Sequence, residues 1–432
     1  MHRIEIENFG PISKTEISIT DIVFILGEQA SGKSTVAKLV YFFRTFQNEF
    51  INLIFTKDFE DWHSCRNEYN SLLRRKFTNI FGPTKSLGYF RITYTYSLDK
   101  SVVITPSSDS KVTFDFSQQL YNELASIYGN TKEILQTQKQ NGRDLYTSIV
   151  LNGAAKRDVL SRSQELFNDN AYSIYIPAGR ALLSRQMLLR LIQGDELRLM
   201  NETESYRPFD IVDAPTRNYI AEVSRMREAF NNEKIKDPLL RFLDDTSKEI
   251  LKGSYIYINN NDFIKLRNRK LIPLSYSSSG QQEVVWLLNL LFSYAALGQK
   301  CQIIVEEPET HLHPDAQYLL VKYIAAFRNK TGSEIFITTH SPYVLSSLNN
   351  LFYADKCGKT SENSIAADSI IPKHSWLRAE DSSAYIIENS TLRDIKDEEL
   401  AMIDVGELDI VASVQDAEYE KLLHISKAGK LN

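Results

Sequence analysis

The segment that most constrains the fold is Ile22-Val23-Phe24-Ile25-Leu26 followed by Gly27-Glu28-Gln29-Ala30-Ser31-Gly32-Lys33-Ser34. The apolar run has the pattern of a strand buried on both faces. Beyond Gly27 the period changes, and Val36, Leu39, Val40 and Phe43 fall on one face of a helix. Gly27 and Gly32 let backbone N–H groups curl around phosphate oxygens. The helix N-terminus adds a favourable dipole. Lys33 can reach the β- and γ-phosphates, and the Ser34 hydroxyl, with Thr35 behind it, can ligate Mg²⁺. Strand, glycine loop and amphipathic helix in this order predict a phosphate-binding α/β fold.

Three later segments carry further chemistry. Ser277-Ser278-Ser279-Gly280-Gln281-Gln282 precedes the apolar residues Val284, Val285, Leu287 and Leu288. Alone it reads as a serine-rich helix start. Ile303-Ile304-Val305 ends in Glu306-Glu307-Pro308-Glu309, where one carboxylate can face a metal and another a water. Alone it reads equally well as a strand ending in solvated acids. Ile335-Phe336-Ile337-Thr338-Thr339 ends at His340, and a lone histidine is more often structural. Order and spacing change the weighing. One helix and one strand fit between Gly280 and Glu307, and again between Glu307 and His340. Such spacing brings the strand ends to one edge of an α/β sheet, where ligands of these sheets bind.

The rest of the chain reads more plainly. Ile4 and Ile6 alternate with Glu5 and Glu7 as in a strand, and Asn8-Phe9-Gly10-Pro11 is a turn signal. Residues 89–96, 102–105 and 112–116 predict a β meander. Residues 118–167 are helical in composition, and Tyr172 to Ile176 is a strand closed by Pro177. Residues 182–251 are charged and helical, and 255–258 with 263–264 predict a hairpin. Residues 350–432 have weak periodicity. Four segments are expected: an N-terminal lobe (1–181), a helical insertion (182–252), a C-terminal lobe (253–349) and a C-terminal extension (350–432).

Composition excludes several classes. The chain has 432 residues, 43% hydrophobic and 24% charged, as in a folded globular protein. With 50 Lys plus Arg against 55 Asp plus Glu, the net charge is −5 and no overall basic field is expected. Cys65, Cys301 and Cys357 lie far apart, which suits a reducing compartment and gives no metal spacing. The most apolar stretch, Val284 to Leu297, is interrupted by Asn289, Ser293 and Tyr294. No membrane span and no targeting segment are expected, and a cytoplasmic location is the reading.

These residues together resemble the ABC-type ATPase heads of the SMC, RecF and OLD families. Residues 4–11 are similar to the family's opening strand and turn, and 27–34 to its Walker A motif. Ser278-Ser279-Gly280-Gln281 resembles the signature, Glu306 to Pro314 resembles Walker B and its following loop, and His340 resembles the switch histidine. Ile176-Pro177-Ala178-Gly179-Arg180 resembles a strand-end segment of the OLD-like branch. The resemblance implies an α/β P-loop head with a mixed sheet, an antiparallel β subdomain and a helical insertion. It implies ATP and Mg²⁺ as cofactors. It also implies a homodimer or higher oligomer, in which the signature of one copy completes the ATP site of the other. Glu307 would orient the attacking water, Ser34 and Glu306 would hold Mg²⁺, and His340 would sense the γ-phosphate.

The departures are a Glu-Glu pair where Asp-Glu is usual, and Ser279 where glycine is common. The Q-loop glutamine is unassigned among Gln118, Gln119, Gln136 and Gln138. His311-Leu312-His313 offers two imidazoles without a third ligand nearby in sequence, so a loop after Walker B is preferred to a zinc site.

Two functions compete beyond the hydrolysis of ATP. One is the sensor ATPase of an anti-phage defence system with a separate effector, as in PARIS-type or Septu-type assemblies. The other is a RecF- or SMC-like ATPase of DNA repair or maintenance. Arg74-Arg75-Lys76 and the group Lys265, Arg267, Arg269 and Lys270 leave DNA as a partner. Asp404, Glu407 and Asp409 follow no strand-glutamate-glycine pattern, so no nuclease is read in this chain and any toxic activity is assigned to a partner.

Overall fold

A computed structural model describes residues 2–107, 111–140, 145–181, 213–227, 235–397, 400 and 402–404. The strands in chain order are β1 (His2–Phe9), β2 (Ile12–Ile19), β3 (Ile22–Gly27), β4 (Arg91–Ser97), β5 (Lys100–Pro106), β6 (Val112–Phe116), β7 (Tyr172–Ile176), β8 (Gly253–Ile258), β9 (Asn261–Leu266), β10 (Leu271–Pro273), β11 (Cys301–Glu306), β12 (Glu334–Thr339), β13 (Ser382–Glu388) and β14 (Thr391–Asp394). The helices are α1 (Lys33–Arg44), α2 (Phe46–Thr56), α3 (Trp62–Phe81), α4 (Gln118–Gln140), α5 (Leu145–Phe167), α6 (Ala214–Met226), α7 (Pro238–Leu251), α8 (Ser279–Leu297), α9 (Pro314–Thr331), α10 (Pro342–Cys357) and α11 (Ser361–Ile370).

The six-stranded central sheet runs β14-β13-β3-β12-β11-β7, and each pairing in it is parallel except β13 with β14. Its apolar runs are continuous because both faces are covered. Alternation along β3 sends Ile22, Phe24 and Leu26 into one core and Val23 and Ile25 into the other. The neighbouring strands divide the same way, with Ile303 and Val305 against Ile304, and Ile335 and Ile337 against Phe336. The first core is closed by α6 to α10 and touched by the small antiparallel sheet β10-β9-β8. The second is closed by α1 to α5 and the five-stranded antiparallel sheet β2-β1-β4-β5-β6. Each fully buried aliphatic or aromatic side chain in these cores contributes about 1.5–3 kcal/mol. The mixed α/β architecture with its antiparallel subdomain is therefore as the sequence predicts.

Three readings change. The hairpin of 255–264 gains a third strand, β10, which pairs Leu271 with Lys265 and Pro273 with Phe263. The meander begins at Arg91, because Gly88 turns at φ 67° and leaves Tyr89 exposed. The stretch 350–432 is not merely an extension: β13 lies in the central sheet directly against β3, pairing Ser382 with Ile22 and Ile387 with Gly27. The lobes expected at 1–181 and 253–349 also share this sheet, with β12 and β11 of the second lying between β3 and β7 of the first. Of the helical insertion, α6 and α7 pack on the first core, and residues 182–212 and 228–234 lie outside the described residues, as do Glu407 and Asp409.

Candidate nucleotide site

Parallel pairing puts the C-terminal ends of β3, β12, β11 and β7 on one edge. At β3 the chain enters the glycine loop. Gly27 has φ 145° and Gly32 has φ 114°, conformations that side chains rarely adopt. Space agrees with the backbone. A Cβ on Gly32 would lie 2.7 Å from Ile12 Cδ1, and one on Gly27 would lie 3.1 Å from the Ile387 carbonyl of β13. The loop is thus wedged between the β1–β2 turn and the strand that the sequence reading set apart. Thr35 rests against Gly10 of the same turn.

Lys33 opens α1 and is buried, donating from Nζ to the carbonyls of Gly27 and Glu28, each at 2.7 Å. Burial lowers its pKa below the usual lysine range, and the carboxylates of Glu307, Glu309 and Glu306 oppose that shift. Glu307 Oε1 lies 4.0 Å from Nζ. Ser34 is exposed at the same helix start. An ammonium, a helix N-terminus and a free hydroxyl at one edge form an anion site.

The β11 end supplies the acids. Glu306 is buried, and its Oε2 accepts from the Ala178 N–H at 3.3 Å while Oε1 has no hydrogen-bond partner. An orphaned, buried carboxylate oxygen beside the loop fits a cation, since Mg²⁺ takes one or two protein oxygens and completes its shell with phosphate and water. Burial first, and the nearby Glu306 carboxylate second, raise the Tyr175 hydroxyl pKa well above its ordinary value. Glu307 adopts φ 41°, and its N–H donates to the Thr338 carbonyl at 2.9 Å. Its Oε1 lies 3.5 Å from His340 Nδ1. In the sequence Glu309 is one more acid of the segment 306–309. It is 3% exposed and accepts from Thr339 Oγ1 at 2.6 Å and from the His340 N–H at 3.2 Å. It therefore sets where β12 delivers the imidazole.

The serine-rich segment lies at the start of α8. Ser278 and Gln281 form a reciprocal capping box, and Gln281 Nε2 also donates to the Leu251 carbonyl at 2.6 Å. Ser278 and Ser279 are exposed. A Cβ on Gly280 would lie 2.6 Å from the His311 carbonyl, so the helix start presses on the loop after β11. His311 itself turns at φ 61° in that loop. His313 caps α9 through Nδ1, which accepts from the Asp315 N–H at 3.4 Å. Among the described residues no three or more His, Cys, Asp or Glu side chains are grouped to hold a metal.

Of the four glutamines, Gln118 and Gln119 are bonded along α4 to Asn122 and Glu123, and Gln136 is exposed farther along that helix. Gln138 lies on the same helix, and its side chain is outside the described residues. Arg180, which the sequence offers only as the last residue of the strand-end segment 176–180, is 1% exposed and bonded to the carbonyls of Glu283, Glu306 and Glu307. Only burial reveals it, since an arginine in a turn after a strand reads as solvated.

The model of the AAA ATPase domain family matches residues 1–179 and 212–345. No curated protein matches the chain. Among solved structures, an SMC head bound to the C-winged helix domain of ScpA is 12% identical, covering 91% of this chain and 96% of that one at TM-score 0.38. The SMC head domain from Thermotoga maritima is 11% identical, covering 92% and 98% at TM-score 0.37. The recombination mediator RecF-ATPrS of the RecFOR pathway is 12% identical, covering 91% and 97% at TM-score 0.32. At such scores the superpositions add nothing to the family match. By that match, which spans more than half its length, the chain belongs to the AAA ATPase domain family and is an ATPase.

Proposed function

We propose that two copies of this chain close around two ATP molecules and that hydrolysis releases them. The observation that carries this reading is the division of the site. Loop, glutamates and histidine gather at one strand edge, while Ser278 and Ser279 stand exposed at the start of α8 and are capped within their own helix. Its N-terminal dipole suits the γ-phosphate held by a partner's loop. In this reading Gly27, Gly32, Lys33, Ser34 and Thr35 hold the phosphates, and Ser278, Ser279, Gly280 and Gln281 complete the partner's site. Glu307 orients the attacking water and His340 senses the γ-phosphate. Mg²⁺, held by Ser34 and Glu306, supplies charge neutralisation to the phosphates.

The test is Glu307→Gln. It is expected to keep ATP binding, lower turnover by about 100-fold or more, and accumulate an ATP-bound dimer by light scattering. Unchanged turnover would remove Glu307 from this role.

For the cellular role, we infer a regulatory ATPase of anti-phage defence that acts on a separate effector protein in the cytoplasm. The acidic net charge of −5 supports a protein partner. So does Arg74-Arg75-Lys76, where Arg74 is bonded to the Val112 carbonyl and Lys76 is paired with Glu49. Among the described residues no helix is long and apolar enough to cross a membrane. One observation favours the second reading, DNA repair or maintenance: Lys265, Arg267, Arg269 and Lys270 are all exposed on and beside β9. Duplex DNA retained by the ATP-bound Glu307→Gln dimer at physiological salt would select that reading over defence through a protein effector.

A further inference from the structure

We propose that Arg180 is a positioning residue that links the start of α8 to the two glutamates at the end of β11. The inference rests on Glu307 being the carboxylate that orients water. Arg180 follows β7 across Pro177-Ala178-Gly179, with Gly179 at φ 73°. Its guanidinium is enclosed and directed almost wholly at main-chain oxygens. Nη1 donates to the carbonyls of Pro177 at 2.9 Å and Glu306 at 2.8 Å, and Nη2 to that of Glu307 at 3.1 Å. Nε donates to the carbonyl of Glu283 on α8 at 3.2 Å, with the Glu283 carboxylate 3.7 Å away as counter-charge.

A buried ion pair is a poor way to gain stability, because apolar residues of similar volume serve as well or better. What the guanidinium offers is a rigid planar fork that fixes several acceptors relative to one another. The acceptors here are the carbonyls of the catalytic pair and of the second turn of α8. Glu307 needs such a hold. At φ 41° a residue with a side chain is outside its preferred backbone regions. Its carbonyl direction is fixed by Arg180 Nη2 together with the N–H and hydroxyl of Thr310 at 3.1 and 2.8 Å.

Glu283 lies one turn beyond Gly280, which itself presses on the His311 carbonyl. A shift of α8 under load from a phosphate therefore reaches the Glu306–Glu307 peptide through one side chain. The link lets a chain whose α8 has met a partner's nucleotide set its own water-orienting carboxylate.

Arg180→Lys keeps the charge and loses the fork. Turnover is expected to fall by about 10- to 100-fold, with KM and the affinity for a fluorescent ATP analogue within about twofold of the parent. A residue that only props the fold would move affinity and melting temperature and spare kcat in the folded fraction. Parental kcat, or KM and affinity weakening in step with kcat, overturns the proposal. Where Arg180→Lys fails to fold, the double variant Arg180→Gln/Glu283→Gln removes both buried charges together. The same split between kcat and affinity supports the link, and parental kcat overturns it. Glu307→Gln measured alongside separates the two ideas. If Glu307→Gln abolishes turnover and the Arg180 variants do not, the link fails and the reading of Glu307 stands.

Discussion

The glycine loop and the glutamate edge face each other across one strand end and are built by opposite means. The loop is contiguous and largely bonded to itself: Lys33 Nζ donates to Gly27 and Glu28, and the Ser31 N–H to Glu28 at 3.3 Å. The glutamate edge has a local turn, in which Thr310 bonds the Glu307 carbonyl, but it leans on distant segments as well. The rest of its geometry comes from Ala178 and Arg180 after β7, Thr338 and Thr339 in β12, and Glu283 in α8. A self-bonded loop fails when its own residues change. An assembled edge fails when residues far away in sequence change.

The largest expected break in this comparison is on the loop side. Lys33→Ala should weaken ATP binding by about 100-fold, the loss of charge-assisted hydrogen bonds. Because burial disfavours the charged form of Lys33, removing it should leave the melting temperature of the ATP-free protein unchanged or raised. A marked drop in that temperature would show that the loop depends on Lys33 for its own structure. Isothermal titration with ATP and a thermal melt measure both.

A smaller effect probes the assembled side. Gly280→Ala places a methyl group 2.6 Å from the His311 carbonyl and should cost about 1–3 kcal/mol in unfolding by urea. If the glutamate edge is assembled as described, kcat should fall further than ATP affinity. Equal losses would place Gly280 outside that assembly.

The smallest effect lies away from the site and serves as its control. Burial, with the Arg44 charge second, lowers the His2 pKa well below the ordinary value. His2 is held as a neutral ring between the Tyr94 hydroxyl at 2.8 Å and the Asn168 carbonyl at 2.9 Å. The unfolded chain then binds a proton that the folded one does not. The contribution is fully present above about pH 6.5 and is lost as pH falls below it, at no more than about 1.4 kcal/mol per pH unit. His2→Gln should flatten that slope between pH 5 and 7 and leave ATP affinity unaltered.

The same contrast explains what the sequence discloses. The glycine loop, the strands at 22–27, 301–306 and 334–339, and the meander announce themselves through spacing and period, which are local properties. Arg180 does not, because its partners stand at 283, 306 and 307 and its burial is set by all of them. Strand β13 escapes for a related reason. Its apolar run is short, Ala384 to Ile387 behind two serines, and pairing with β3 is what makes it a core strand. Glu309 reads as one more acid in an acidic cluster until Thr339 and His340 are seen bonded to it.

The place of β13 has a consequence in time. Strand β3 leads into the glycine loop, yet both its neighbours, β12 and β13, come from residues 334–388. At roughly 5–20 residues per second on the ribosome, about 20–70 s pass between the synthesis of Ile22 and that of its partner Ser382. Until then one edge of β3 has no strand beside it, and the Ile387 carbonyl is not yet against Gly27. The Gly27 end of the phosphate loop therefore gains its β13 wall only once Ile387 has been made.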